Sequence, residues 1–345
     1  DCSGDSRRRV APEDAGCAMN ALTARLAIAA LSASLDLAGL LPAMLHPGKR
    51  VNHALRDVRD ASRGRWLERR VIESRWQSFV LQRYVLGLDE SEMRLFFEER
   101  VRYEGPTWPL DERRPLILAA PHYGAAGVGF LAAVHRMHRR RPINLFIDAG
   151  IPTRQLAALF EVAGLDLSRL MSGFAGSVEA ARALRRNECL IMMPDVFGQG
   201  CQTLVVPFFG RLMRVAAATA FLALRTGALV VPVFATPGAN LTLRVLVDTA
   251  IDARRFAGDD DQQKIFMLTQ ALFSRFESVF RFAPEHWHGW ERLPGTSTPI
   301  DPAYRLDYDE PLRVLRAKCD ALPHLVQEIP ELDLIRKEHA WIRTR

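Results

Sequence analysis

Lysine is nearly missing from this sequence. Of 345 residues only Lys49, Lys264, Lys318 and Lys337 are lysine, which leaves 42 of the 46 basic residues as arginine. Cysteine is sparse and scattered: Cys2, Cys17, Cys189, Cys201 and Cys319 are odd in number and form no C-x-x-C pair. That pattern supports neither a disulfide framework nor a structural zinc site, and it favours a reducing compartment. No G-x-S-x-G elbow occurs, which argues against an α/β-hydrolase, and no internal repeat or low-complexity tract is present. Nothing in the sequence implies a metal or an organic cofactor. The proportions, 48% hydrophobic, 25% charged and 8% aromatic, exclude a disordered, collagen-like or coiled-coil chain. The length suits one large α/β domain or two smaller ones.

The formal net charge is +6 and rests on arginine. A GC-rich genome accounts for much of that bias. Arginine is also the better side chain for gripping phosphates and carboxylates in a fork, which suits acidic lipid headgroups, phosphorylated sugars or an acidic carrier protein. No nucleic-acid recognition module appears, so no nucleic-acid partner is expected. The run from His135 to Arg141 reads either as a dipole-matched helix end or as a phosphate-facing patch.

Residues 1–18 are polar and aperiodic, and read as a disordered or non-native leader. Residues 19–100 read as an N-terminal helical region. It contains the longest apolar stretch, Leu26 to Leu45, in which Asp36 is the only charge. Twenty such residues are expected either to anchor the chain at a membrane or to form a buried helix. From 101 to 293 the period changes. Strands are expected at Pro115 to Ala120, Ile143 to Ile147, Cys189 to Met193, Leu229 to Phe234 and Leu241 to Val247. Helices are expected from the 121–127 turn to Arg136, and over Arg154 to Ala163, Val178 to Arg186, Val215 to Thr226 and Asp260 to Phe280. Alternation of this kind predicts a single α/β domain with a largely parallel central sheet flanked by helices. Residues 294–345 read as a helical C-terminal extension.

His122 stands on the turn after the first predicted strand, and chemistry in open α/β sheets collects at the carboxyl ends of strands. With an ordinary pKa of about 6.5, a histidine there is suited to act as general base toward a hydroxyl. The small-residue loop that follows offers backbone N–H groups for an oxyanion. A helix-capping polar residue is the plainer alternative. The glycines Gly124, Gly127 and Gly129, with Asp148 further on, form a weak dinucleotide-binding pattern in the wrong order, G-x-x-G-x-G.

Four blocks carry a resemblance. His122-Tyr123-Gly124 resembles the His-Phe-Gly opening of the His-x4-Asp/Glu motif in the lipid A biosynthesis (lauroyl/myristoyl) acyltransferase family. Pro194-Asp195, Gly198 and Val206-Pro207-Phe208-Phe209-Gly210 resemble its Pro-Asp and Val-Pro-Phe-Phe-Gly block. Ala217-Ala218-Thr219 through Pro232-Val233 is similar to the stretch that follows. Pro284-Glu285-His286-Trp287 with Trp290 and Arg292 resembles the closing signature. Order and spacing hold over roughly residues 50–293.

The resemblance implies a glycerolipid-acyltransferase-like fold. It also implies transfer of a fatty acyl chain from an acyl carrier protein thioester, or acyl-CoA, to a hydroxyl of a lipid A-type glycolipid or related membrane lipid. The place it implies is the cytoplasmic face of a bacterial inner membrane. In that family the motif's acid orients the histidine, but here Gly127 stands five residues after His122, and Ala125-Ala126 replace Asn-Trp. Asp195, at the end of the Cys189 to Met193 strand, is the best substitute, giving His122 and Asp195 as catalytic candidates. Candidate substrate contacts are Arg169 or Arg211 for the thioester carbonyl, Tyr123 and Gly124 in the turn, and Phe208 and Phe209 along an acyl groove. Two alternatives stay open: a catalytically impaired lipid-binding scaffold, or an acyltransferase for a specialised metabolite or amine.

Overall fold

The computed structural model describes residues 23–24, 64–105, 113–137, 140–146, 170–171, 173–195, 203–256, 260–293 and 297–299. In chain order the elements are α1 (Gly64–Leu86), α2 (Glu90–Glu99), β1 (Val101–Glu104), β2 (Leu116–Ala119), α3 (Ala126–Met137) and β3 (Ile143–Phe146). Next come β4 (Leu170–Met171), α4 (Gly173–Arg185), β5 (Cys189–Met192), β6 (Thr203–Phe208), β7 (Arg211–Ala216) and α5 (Ala218–Thr226). The last are β8 (Leu229–Gly238), β9 (Thr242–Val247), β10 (Ile251–Asp252), α6 (Asp261–Phe282) and β11 (Ser297–Pro299).

All four residues of β2 and of β5 are buried, the mark of strands covered on both faces. The main sheet runs β1-β9-β8-β2-β5-β3-β4, with β10 paired to β8. Every neighbouring pair in that order is parallel except β9 with β8. Alternation along β2 serves two cores. Ile117 and Ala119 pack with α4, α5 and α6 on one face, and Leu116 and Leu118 pack with α1, α2 and α3 on the other. The expected α/β class with a largely parallel, helix-flanked sheet is what the structure shows.

A second, antiparallel sheet has the order β11-β7-β6. Its β6–β7 hairpin corrects one expectation: Val215 begins no helix, because β7 runs to Ala216 and α5 starts only at Ala218. Phe208 pairs with Arg211, so Phe209 and Gly210 form a two-residue turn, both with positive φ (51° and 69°), as hairpins of this length favour. A phenylalanine is strained there. The buried Glu277 side chain of α6 holds the turn by accepting the Phe209 N–H at 2.9 Å, and Arg281 neutralises that carboxylate. Beyond residue 293, β11 pairs with β7.

The stretch Leu26 to Leu45, the expected helix Arg154 to Ala163 and the extension after 300 lie outside the described residues. Among the described residues no helix is long and apolar enough to cross a membrane.

Candidate active site

Register brings the two principal candidates together. β2 and β5 are parallel neighbours with Ala119 opposite Met192, and the Ala120 N–H donates to the Met192 carbonyl at 2.9 Å. Three residues beyond each register partner stand His122 and Asp195. Nδ1 of His122 is 2.9 Å from Oδ1 of Asp195. The His122 main-chain N–H also donates to the carboxylate, at 3.1 Å to Oδ1 and 2.9 Å to Oδ2. The indole N–H of Trp287 donates to Oδ2 at 3.0 Å.

The Asp195 side chain is 2% exposed, whereas that of His122 is 35% exposed, so one end of the pair is buried and the other is reachable. Burial pushes the Asp195 carboxyl toward its neutral form, but the His122 charge and ring, Trp287 and the His122 amide together hold it below its ordinary value. Burial lowers the His122 pKa, and the adjacent Asp195 charge and hydrogen bond outweigh that and raise it, against a smaller opposing pull from Arg292.

The loop after His122 is fastened to the segment 286–288 and to β8. Gly124 N–H donates to the His286 carbonyl (2.7 Å), His288 N–H to the His122 carbonyl (2.9 Å) and Ala125 N–H to the Ala235 carbonyl (2.9 Å). With Tyr123 N–H bonded to the Pro121 carbonyl, all four amides from His122 to Ala125 are taken. They are therefore not the oxyanion donors that the sequence suggested. What remains beside the histidine is the positive end of α3.

Gly124, at φ +58°, lies so close to β8 that a Cβ would stand 2.4 Å from the Ala235 carbonyl oxygen, and a Cβ on Gly129 would meet Ala235 Cβ at the same distance. These glycines let α3 sit on β8. That packing role explains their spacing without a pyrophosphate. A Cβ on Gly127 would meet only Gln82 of α1, at 3.7 Å. Between β2, β8 and the Ala126–Gly129–Ala133 face of α3 lies an apolar cleft that also touches Pro121, next to His122.

Other candidates are placed differently. The Tyr123 ring is 2% exposed, stacks on Phe280 at 5.0 Å and donates its hydroxyl to the Ala283 carbonyl at 2.9 Å. Phe208 and Phe209 are 0% and 2% exposed, inside an aromatic cluster with Trp287 and Trp290. Rings enclosed in this way have no face left for substrate, so all three are core residues. Arg211 is buried against β11, donating Nε to the Ser297 hydroxyl (2.6 Å) and Nη2 to the Ser297 carbonyl (3.0 Å). That holds the second sheet together. Arg169 and Asp148 lie outside the described residues.

Sequence reading left His286, Trp287 and His288 open between a membrane-interface rim and core packing, and did not link them to the His122–Asp195 pair. His286 receives or donates at Nδ1 with the buried Ser74 hydroxyl of α1 at 2.7 Å. Burial lowers the pKa of His286 and of His288 to about 4, and Arg75 adds to the effect at His288. Arg75 also donates to the His288 carbonyl at 3.3 Å. Trp287 donates to Asp195, and its place in the closing signature block, far from His122, was the available signal. Among the described residues no group of three His, Cys, Asp or Glu side chains is arranged to hold a metal ion.

Residues 171–292 match the model of the bacterial lipid A biosynthesis acyltransferase family. The matched residues include Asp195, the Phe209-Gly210 turn and Trp287, and they begin after His122. No curated protein matches the chain. Among solved structures it is similar to the 1-acyl-sn-glycerophosphate (LPA) acyltransferase PlsC from Thermotoga maritima, with 13% identity and a TM-score of 0.33, covering 74% of this chain and 97% of that one.

Proposed function

We propose that the protein is an acyltransferase in which His122 is the general base and Asp195 orients it. The observation that carries this reading is the contact of His122 Nδ1 with a buried carboxylate at 2.9 Å, on a ring that still reaches the surface. A carboxylate on Nδ1 fixes the tautomer that presents Nε2 as the proton acceptor. An acceptor hydroxyl gives its proton to Nε2 as its oxygen attacks the thioester carbonyl. The carbon–sulfur bond then breaks, and the departing thiolate takes the proton from His122 to leave as a thiol. The match of residues 171–292 to the lipid A biosynthesis acyltransferase family supports a lipid substrate.

The donor is an acyl carrier protein thioester or acyl-CoA, and the acceptor a glycolipid of the lipid A-precursor type or a related membrane lipid, met at the cytoplasmic face of the inner membrane. No metal or organic cofactor enters the scheme. The test is direct: purified protein is given acyl carrier protein and CoA thioesters of several chain lengths with lipid extract. Products are read by mass spectrometry, alongside the lipids of a deletion strain. One new acyl ester in vitro, lost with His122→Ala and absent from the deletion strain, is the expected result. Lipid binding without transfer from any thioester would overturn it in favour of a scaffold.

A further inference from the structure

Asp195 carries its charge where charge is costly. The acid absent at Gly127 would have stood on the first turn of α3. Here it comes instead from the end of β5, with a side chain 2% exposed. A buried carboxylate stays ionised and oriented only if N–H groups satisfy its oxygens. Three described donors do so: the ring and the main-chain amide of His122, and the indole of Trp287. Two belong to the histidine that is being oriented. Among the described donors only the indole is an independent fixed point.

The indole is held hard. Trp287 is 0% exposed, stacked on Phe280 at 5.1 Å and met edge-on by Phe208 at 5.4 Å and Trp290 at 4.7 Å. A Cβ on Gly289 would stand 2.3 Å from its Cζ2, so backbone closes the remaining side. Trp290 fastens the turn by donating its indole N–H to the Pro284 carbonyl at 2.6 Å. An isolated bridge pairs Trp287 with Tyr123, so the segment that carries the indole also carries the neighbour of His122.

We propose that Trp287 is a positioning residue of this site: its N–H pins Oδ2 of Asp195 so that Oδ1 faces Nδ1 of His122. The indole thereby sets how tightly the pair holds its proton. The kinetic part rests on the His122-base reading above; the spectroscopic part does not. Other charged or titratable groups felt by the pair are Arg292 at His122, and His288, which senses both partners and Arg75. All of these are unchanged by a substitution at 287.

Trp287→Phe retains an aromatic ring and deletes the donor. Kcat is expected to fall about 10- to 100-fold, with KM for donor and acceptor within about twofold. A carboxylate with one N–H fewer is more basic, so the pair holds its proton more tightly. The acid limb of the rate profile therefore moves up, by about one pH unit. In an Asp195→Asn background the same change should cost little more, because the partner is already gone. An unmoved acid limb, or the same fold-loss in both backgrounds, would reduce Trp287 to packing and overturn the proposal. If Trp287→Phe does not fold, the unmodified protein decides. With nitrogen-15-labelled indoles, the Trp287 Nε1–H resonance should shift at the pH where the His122 ring titrates, and a flat response rejects the idea. That measurement needs no turnover, so it stands apart from any failure of the acyltransfer assay.

Discussion

Ala119 and Met192 are register partners on adjacent parallel strands, and the site follows from that pairing. Both strands leave the sheet at the same level, and each segment places its member of the pair three positions later. His122 and Asp195 are thus held by the hydrogen-bond ladder of the sheet, with only a short turn between ladder and side chain. A pair mounted in this way is rigid, which the proposed general-base chemistry requires.

His122→Ala is expected to abolish acyl transfer while leaving the fold intact, since the ring stands beyond the carboxyl end of a central strand and is partly exposed. Asp195→Asn should lower kcat by about 10²- to 10⁴-fold, the range lost when a base loses its orienting acid. Steady-state rates with melting curves on both variants check this. Turnover that survives Asp195→Asn but not His122→Ala would remove Asp195 from the scheme.

The histidines separate by pH. His122 must be neutral to accept a proton, and its pKa is raised, so activity should climb with pH through a limb above the ordinary histidine value. His286 and His288 behave oppositely: their folded pKa values are depressed to about 4. Between about pH 6.5 and 4 the unfolded chain binds these protons and the folded chain does not. Each then removes about 1.4 kcal/mol of stability per pH unit as pH falls. Denaturant melts from pH 7 to 4.5 should show that slope, and Ser74→Ala or His288→Gln should alter it. A stability flat down to pH 5 would count against buried neutral rings.

The parts of this molecule that were legible in the sequence were those written locally. The all-apolar runs of β2 and β5, the capped helix from Asp260 and the histidine after the first strand could be read from periodicity and position. The Asp195 partnership was legible because both residues end predicted strands. The β6–β7 hairpin was not, since its turn residue is a phenylalanine held at positive φ by Glu277, 68 positions away. Nor could Tyr123, Phe208 and Phe209 be separated from substrate contacts, because apolar residues read alike in a core and in a groove. Trp287 meets Asp195 only through the closure of a segment 92 residues further on.

Gly124 is expected to tolerate nothing larger. A methyl group there combines a left-handed backbone with a contact of 2.4 Å to the Ala235 oxygen. Gly124→Ala should therefore cost about 3 kcal/mol or more and displace the His122 turn. Thermal melts and residual activity measure both effects. A variant as stable as the original would mean that the turn is not clamped against β8.

Gly127 is the opposite case and tests where the acid belongs. It lies on the first turn of α3, and an added Cβ meets only Gln82, at an ordinary contact distance of 3.7 Å. Gly127→Ala should accordingly stabilise the protein by about 0.5–1 kcal/mol, the usual gain from replacing glycine within a helix. Gly127→Asp should fold equally well, since a negative charge suits a helix start. It should nevertheless fail to restore turnover to Asp195→Asn, because position 127 faces α1 while Nδ1 of His122 faces β5. Recovery of more than about a tenth of the lost rate in the double variant, on the fold-change scale of a repaired acid–base pair, would show that a carboxylate at 127 still reaches the histidine. The relocation of the acid to Asp195 would then be a preference of this chain, not a requirement of its geometry.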